Sequence, residues 1–110
     1  MIVQRYLDAL TGHDWAELRD CLSTDVVRVG PYNDVFRGAD AYVEFLSGLM
    51  PTLPDYSMEV TRITYTETRA FAELAENVGG VRTEECIVFD LAEDGRIHRV
   101  DVFIKTRMPE

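Results

Sequence analysis

The sequence predicts an α+β fold in which a strongly curved, mostly antiparallel sheet wraps around three N-terminal helices. Three observations carry this expectation. Helical periodicity is confined to the first half of the chain, and four long strand-like segments follow one another from residue 56 onward. The joints between those segments, "TETR", "VGG" and "AEDG", are short and polar or glycine-bearing, which suits antiparallel hairpins. Helices and strands that are segregated along a chain build α+β rather than α/β architectures.

The elements follow in order. In "IVQRYLDALTG", Val3, Tyr6, Leu7 and Leu10 recur at helical spacing, and Gly12 is placed to end the helix in a left-handed conformation. Asp14 with Glu17 three residues later reads as a capping box for a short second helix with the stripe Trp15, Leu18 and Leu22. "DVVRVG" is a short strand, and "PYNDVFRG" is a turn leading to the third helix, "DAYVEFLSGLM". Tyr42, Phe45, Leu46, Leu49 and Met50 form the apolar face of that helix, Asp40 suits its N-terminus, and Pro51 and Pro54 end it. The remaining strands are expected over 56–67, 69–78, 81–92 and 96–107.

Composition limits the function classes. A chain of 110 residues is the size of one domain, here 1–110, without repeats or a linker. Lys and Arg number 11 against 20 Asp and Glu, a net charge of −9, which repels phosphate backbones and argues against nucleic-acid binding. No apolar run approaches a membrane span, and no signal-peptide pattern is visible, so a cytoplasmic location is expected. Cys21 and Cys86 lie far apart without metal or redox spacing and read as free thiols. With no phosphate loop, dinucleotide fingerprint, metal box or nucleophile elbow, the expected site uses no cofactor and no metal.

Three helices cannot cover both faces of a five- or six-stranded sheet. One face is expected to curl over the helices and leave a cavity for a small apolar molecule. The other is expected to be covered by a second copy of the chain, giving a homodimer.

At this level the chain resembles the nuclear-transport-factor-like α+β cone superfamily, also described as cystatin-like. That group includes SnoaL-like polyketide cyclases, ketosteroid isomerases and limonene-type epoxide hydrolases. The resemblance is carried by "VQRYLDALTGHDWAELRDCLSTDVV", "VFRGADAYVEFL" and "VFDLAEDGRIHRVDVF" and covers nearly the whole chain. It implies the fold strongly and the activity weakly, because one scaffold hosts many functions. The isomerase site resembled here needs a carboxylate base, a Tyr and a neutral Asp; these positions fall on Gly30, Tyr6 and Ile87. The epoxide hydrolases use an Asp–Arg–Asp arrangement, whose Arg-x-Asp strand falls on Glu85 and Ile87 and whose final-strand Asp falls on Asp101 after a one-residue gap. Neither of these two sites is retained. The acid/base carboxylate that SnoaL-like cyclases carry on a late strand is matched best by Asp101.

Strand alternation then sorts the candidates. On the last strand Val100, Val102 and Ile104 share one face with His98, while Ile97, Arg99, Asp101 and Phe103 share the other. Resemblance to the isomerases puts the Val100 face toward the cavity and Asp101 outward; the cyclase analogy wants Asp101 inward. Glu85 stands at the end of the stripe Glu85, Ile87, Phe89 and Leu91, either as a cavity acid or as a solvated rim residue. Glu73 alternates with Ala72 and Leu74, so it is exposed if the Ala/Leu row is the buried one. Arg28, if it faces the cavity, is placed to pair with Glu85 or Glu73. Tyr32, Asn33 and Asp34 form the loop at the expected cavity mouth.

Two functional readings follow. One is a cofactor-free general acid/base enzyme of isomerase, cyclase or hydrolase type. Its catalytic candidates are Tyr6 as donor and Glu85, Glu73 or Asp101 as acid/base, with Trp15, Phe45, Leu49, Ile87, Phe89, Val100 and Val102 around the ligand. The other is a non-catalytic ligand-binding or dimerisation module, favoured by the missing isomerase groups.

Overall fold

The structure, a computed structural model, is described for residues 1–106. Its elements are α1 (Ile2–Thr11), α2 (Trp15–Asp20), β1 (Leu22–Val29), β2 (Val35–Arg37), α3 (Ala39–Leu49) with a 3-10 turn over Met50–Thr52, β3 (Ser57–Tyr65), β4 (Arg69–Val78), β5 (Val81–Leu91) and β6 (Ile97–Ile104). The expected α+β architecture is present. One six-stranded sheet runs in the order β2-β1-β6-β5-β4-β3 and is antiparallel except where β1 lies parallel to β6. The sheet is curled but not closed, and the helices pack on its inner face.

The helices obey the apolar spacing that predicts them. Val3, Tyr6, Leu7 and Leu10 of α1 are buried, as are Tyr42 and Leu46 of α3. The Asp14 side chain accepts a hydrogen bond from the Glu17 amide and so satisfies one orphan donor of α2. At the start of α1, the Val3 amide donates to the hydroxyl of Tyr65 on β3, at 3.2 Å. The long-range core joins α1, α2 and α3 to Val26, Ala70, Ala72, Leu74, Ile87, Phe89, Ile97 and Val100.

Four local expectations are corrected. Gly12 is right-handed, with φ −86°, because the chain reverses one residue later at His13, with φ 54°. The first strand begins at Leu22 rather than Asp25, because Leu22 pairs with Ile97 and the Ile97 amide donates to Cys21 O. Part of the expected turn "PYNDVFRG" is a short edge strand, β2, which pairs with Val27, Arg28 and Val29. Gly38 then takes φ 90° between β2 and α3, with its amide donating to Val26 O at 2.7 Å. Such a backbone favours glycine. Finally, His98 does not share the Val100 face. The β5–β6 register shifts between Asp90 and Leu91, so Ile97 enters the core and His98 is exposed. The end of the last expected strand, at Arg107, lies outside the described residues.

Leu7 is buried to 1% exposure against this core. Leu7→Ala is expected to lose about 2–5 kcal/mol of stability in a urea titration.

Candidate functional site

The site is built by the inner face of β1, β4, β5 and β6. Period-two alternation places Ala70, Ala72, Leu74 and Glu76 of β4 on that face, and Thr83, Glu85, Ile87 and Phe89 of β5 beside them. Val100, Val102 and Ile104 continue the surface on β6. Toward the open end, the sheet and the helices separate and leave a cavity of about 260 Å³. Leu10, Leu46, Leu49, Met50, Leu53 and Met58 are among its apolar walls, and Tyr6, Arg28, Glu76, Thr83 and Glu85 are its polar groups. Tyr32, 81% exposed, stands at the edge on the loop after β1.

Glu76 and Glu85 form the chemical centre. In the β4–β5 ladder Glu76 pairs with Thr83 and Glu85 with Leu74, so the two glutamates are diagonal neighbours on one face. The hydroxyl of Tyr56, just ahead of β3, donates to Glu76 Oε2. Burial, reinforced by the hydrogen bond and the charge of Glu76, pushes the Glu85 carboxyl up to about 9, with Arg28 opposing. At neutral pH Glu85 therefore keeps its proton beside Glu76. Burial above all raises the Tyr56 phenol too.

A second polar cluster lies on the helical side. Tyr6 and Tyr42 hydroxyls are 2.5 Å apart, and the Tyr6 ring meets Phe89 edge-on. Burial pushes the Tyr6 phenol up to about 12 and Tyr42 well above the usual phenol range. Both rings therefore keep their protons and remain hydrogen-bond donors at neutral pH. Arg28 lies over the Phe45 ring, 5.1 Å from its centroid, and 6.0 Å from that of Tyr42. Its nearest carboxylate is Asp34, at 3.6 Å, rather than Glu85 or Glu73. Asp34 is close because its carboxylate fills the space beside Gly30 that a Cβ would occupy.

The other candidates lie elsewhere. Glu73 is on the outer face, held by Arg62 at 2.6 Å, and that guanidinium pulls its carboxyl below the usual range. Asp101 is also on the outer face, 2.9 Å from Arg99 Nε. Each is turned out because its strand neighbours, Ala72 and Leu74 or Val100 and Val102, fill the inner face. Of the expected ligand contacts, Leu49, Ile87, Val100 and Val102 line the cavity. Trp15, Phe45 and Phe89 do not: Trp15 stacks on His13, Phe45 stacks on Phe36, and Phe89 is fully buried beneath Tyr6. Glu76 and Tyr56 were not among the expected site residues. The signal for Glu76 was its place on the Ala70–Ala72–Leu74 row.

The elements define a cone-type α+β fold, with a hollow between the curled sheet and the helices. A family model for the SnoaL-like domain matches residues 3–100, and the chain belongs to that family. No curated protein sequence matches it. Among solved structures, it is similar to a "putative ketosteroid isomerase" from Kribbella flavida DSM 17836 (22% identity, TM-score 0.87, covering 99% of this chain and 78% of that one). It is also similar to a protein of unknown function with a cystatin-like fold from Methylobium petroleophilum PM1 (17% identity, TM-score 0.86, 99% and 76% covered). A third is an LEH-like epoxide hydrolase from M. tuberculosis (23% identity, TM-score 0.77, 94% and 80% covered). At these identities the likeness shows the fold alone. Among the described residues, no helix is long and apolar enough to cross a membrane.

The raised Glu85 carboxyl has a consequence for stability. Between its ordinary value of 4.5 and about 9, the unfolded chain releases a proton that the folded protein keeps. Stability attributable to this group therefore falls as pH rises through that window. Among the described residues, Glu76, Arg28, Tyr56 and Tyr6 are ionisable groups on its side of the sheet. Glu85→Gln is expected to flatten the decline in melting temperature between about pH 5 and about pH 8. Equal pH dependence in both proteins would contradict the proton kept on Glu85.

Proposed function

We propose that the chain is a cofactor-free general acid/base enzyme that moves a proton on a small apolar, ring-bearing metabolite bound in the cavity. The observation that carries this reading is the Glu76–Glu85 pair facing an apolar hollow. A pair that holds one proton offers an acid and a base in the same place. The ionised member takes a proton from a carbon next to a carbonyl, the electron pair moves onto the carbonyl oxygen, and the protonated member returns a proton at the second carbon. Tyr56 orients Glu76, and Tyr6 supplies a donor in the cavity. Isomerisation and aldol-type cyclisation share this first proton transfer, whereas a hydrolase would use the base on water. In this reading Glu73 and Asp101 take no part in the chemistry.

A second reading, a non-catalytic ligand-binding module, is favoured by Gly30 and Ile87. Neither can move a proton at the two positions where the isomerase resemblance calls for a carboxylate. Both readings place the protein in the cytoplasm, where Cys21 and Cys86 stay free.

The two readings separate on proton exchange. With 2-tetralone in deuterium oxide as the probe, the protein is expected to accelerate α-carbon exchange, followed by NMR. Glu85→Gln and Glu76→Gln are each expected to lower that rate by about 10²-fold or more while the circular dichroism is unchanged. Exchange that the protein does not accelerate, or that the variants leave intact, favours the binding module.

We also propose a homodimer through the outer sheet face. Phe103 is 57% exposed there, and the cross-strand rows place Cys86 beside it and Val88 beside Phe71. A hollow of about 390 Å³ adjoins them, lined by Ala75, Cys86 and Phe103 with Glu73, Arg82, Glu84 and Lys105 at its rim. Exposed apolar area of this kind is stabilised by burial against a second copy. Phe103→Asp is expected to convert a dimer to a monomer in analytical ultracentrifugation. A wild-type chain that sediments as a monomer at tens of micromolar would overturn this.

A further inference from the structure

Arg28 has no assigned role in the proton transfer, yet among the described residues it is the cation that lines the cavity. Its side chain is only 13% exposed, and it lines the same hollow as Glu85. The Phe45 ring beneath the guanidinium, itself stacked on Phe36 with centroids 4.1 Å apart, fixes its plane. Nη1 is shielded from solvent and, among the described residues, meets no hydrogen-bond partner at normal geometry, the guanidinium only bearing on the Tyr42 phenol beside it. A buried donor on a charged group that lacks an acceptor costs free energy, which an acceptor on a bound molecule would offset.

Asp34 does not supply that acceptor. Its Oδ2 stops 3.6 Å from Nη1, beyond hydrogen-bonding distance. The loop holds it back: the Gly30 amide donates to Asp34 O at 2.8 Å, and the Tyr32 amide reaches Asp34 Oδ1 at 3.4 Å. Glu85 does not supply it either. Arg28 pairs with Val100, which pairs with Phe89, and Glu85 stands four residues away from Phe89 along β5. At ~3.3 Å per residue, that separates the two backbone rows by about 13 Å along the strand. The cavity thus has a cationic pole at Arg28 and a carboxyl pole at Glu76 and Glu85, with Ile87, Val100 and Val102 among the apolar residues between them.

We propose that Arg28 recognises an anionic oxygen of the ligand, and that the ligand class is a ring-bearing monocarboxylate. The carboxylate lies toward the guanidinium, the ring against the apolar middle, and the reacting carbon toward the glutamate pair. Size agrees with this class. A cavity of about 260 Å³ lies just under the usual range of small-ligand pockets, which suits a small ring system rather than a large polycycle. The proposal deepens the small-molecule reading of the cavity and rests on it.

The test compares 2-naphthoate with 2-acetylnaphthalene, an uncharged ketone of nearly the same shape, by isothermal titration calorimetry at neutral pH. The wild-type protein is expected to bind the naphthoate at least tenfold more tightly. Arg28→Met is expected to abolish the preference while retaining ketone binding, and Arg28→Lys to keep part of it; circular dichroism confirms the fold of each. Equal affinities in the wild type, binding of neither probe, or a preference that survives in folded Arg28→Met would overturn the assignment. Failure is distinguishable from failure of the acid/base reading. The latter is read from exchange rates in the glutamate variants, while the naphthoate preference is expected to persist in Glu85→Gln.

Discussion

The structure depends on one constraint: the register that locks β4, β5 and β6 together on the inside of a curled sheet. Each strand offers alternate residues to that side, so pairing Leu74 with Glu85 and Ile87 with Val102 decides every side chain the cavity contains. A slip by one residue on β4 would exchange Glu76 for Ala75 or Asn77, and the carboxyl pair would be lost. The helices enforce the register through Tyr6, Leu7, Tyr42 and Leu46, which require an apolar floor at Ala70, Ala72, Phe89 and Val100. Chemistry at the open end of the cone is therefore secured by packing at its closed end.

The polar groups of the cavity are balanced rather than neutralised. Burial and the neighbouring Glu76 keep the proton on Glu85. Arg28 lowers the Glu85 carboxyl, but less than burial and Glu76 raise it. Meanwhile Arg28 is restrained by ring stacking and by a carboxylate just out of hydrogen-bonding range. This separation leaves both poles free to engage a ligand. A direct Arg28–Glu85 ion pair would have held the acid ionised and spent both groups on each other.

Much of this was legible in the sequence. The helices followed from 3.6-residue spacing and the hairpins from short glycine-bearing joints, whereas the apolar stripe of β5 left Glu85 open between the cavity and the rim. Other features needed three dimensions. Glu76 sits one alternation beyond the apolar row of β4, where a surface end is the ordinary expectation. Tyr56 precedes its strand, so no periodicity marks it. Strand β2 is three residues long and follows a turn, too short for alternation to register. His98 changed sides because a bulge interrupts the period-two rule. For Arg28 the sequence left the cavity position open, and the expected partners Glu85 or Glu73 are replaced by Asp34. The loop after Gly30 turns tightly enough to bring Asp34 back beside it, and no spacing rule indicates that.

The central claim is that a proton resides on the glutamate pair inside the cavity at neutral pH. A carbon-13 NMR titration of the glutamate side-chain carboxyls addresses it most directly. One resonance, absent from Glu85→Gln, is expected to titrate several pH units above the ordinary glutamate range. A spectrum in which every glutamate titrates within that range would contradict it.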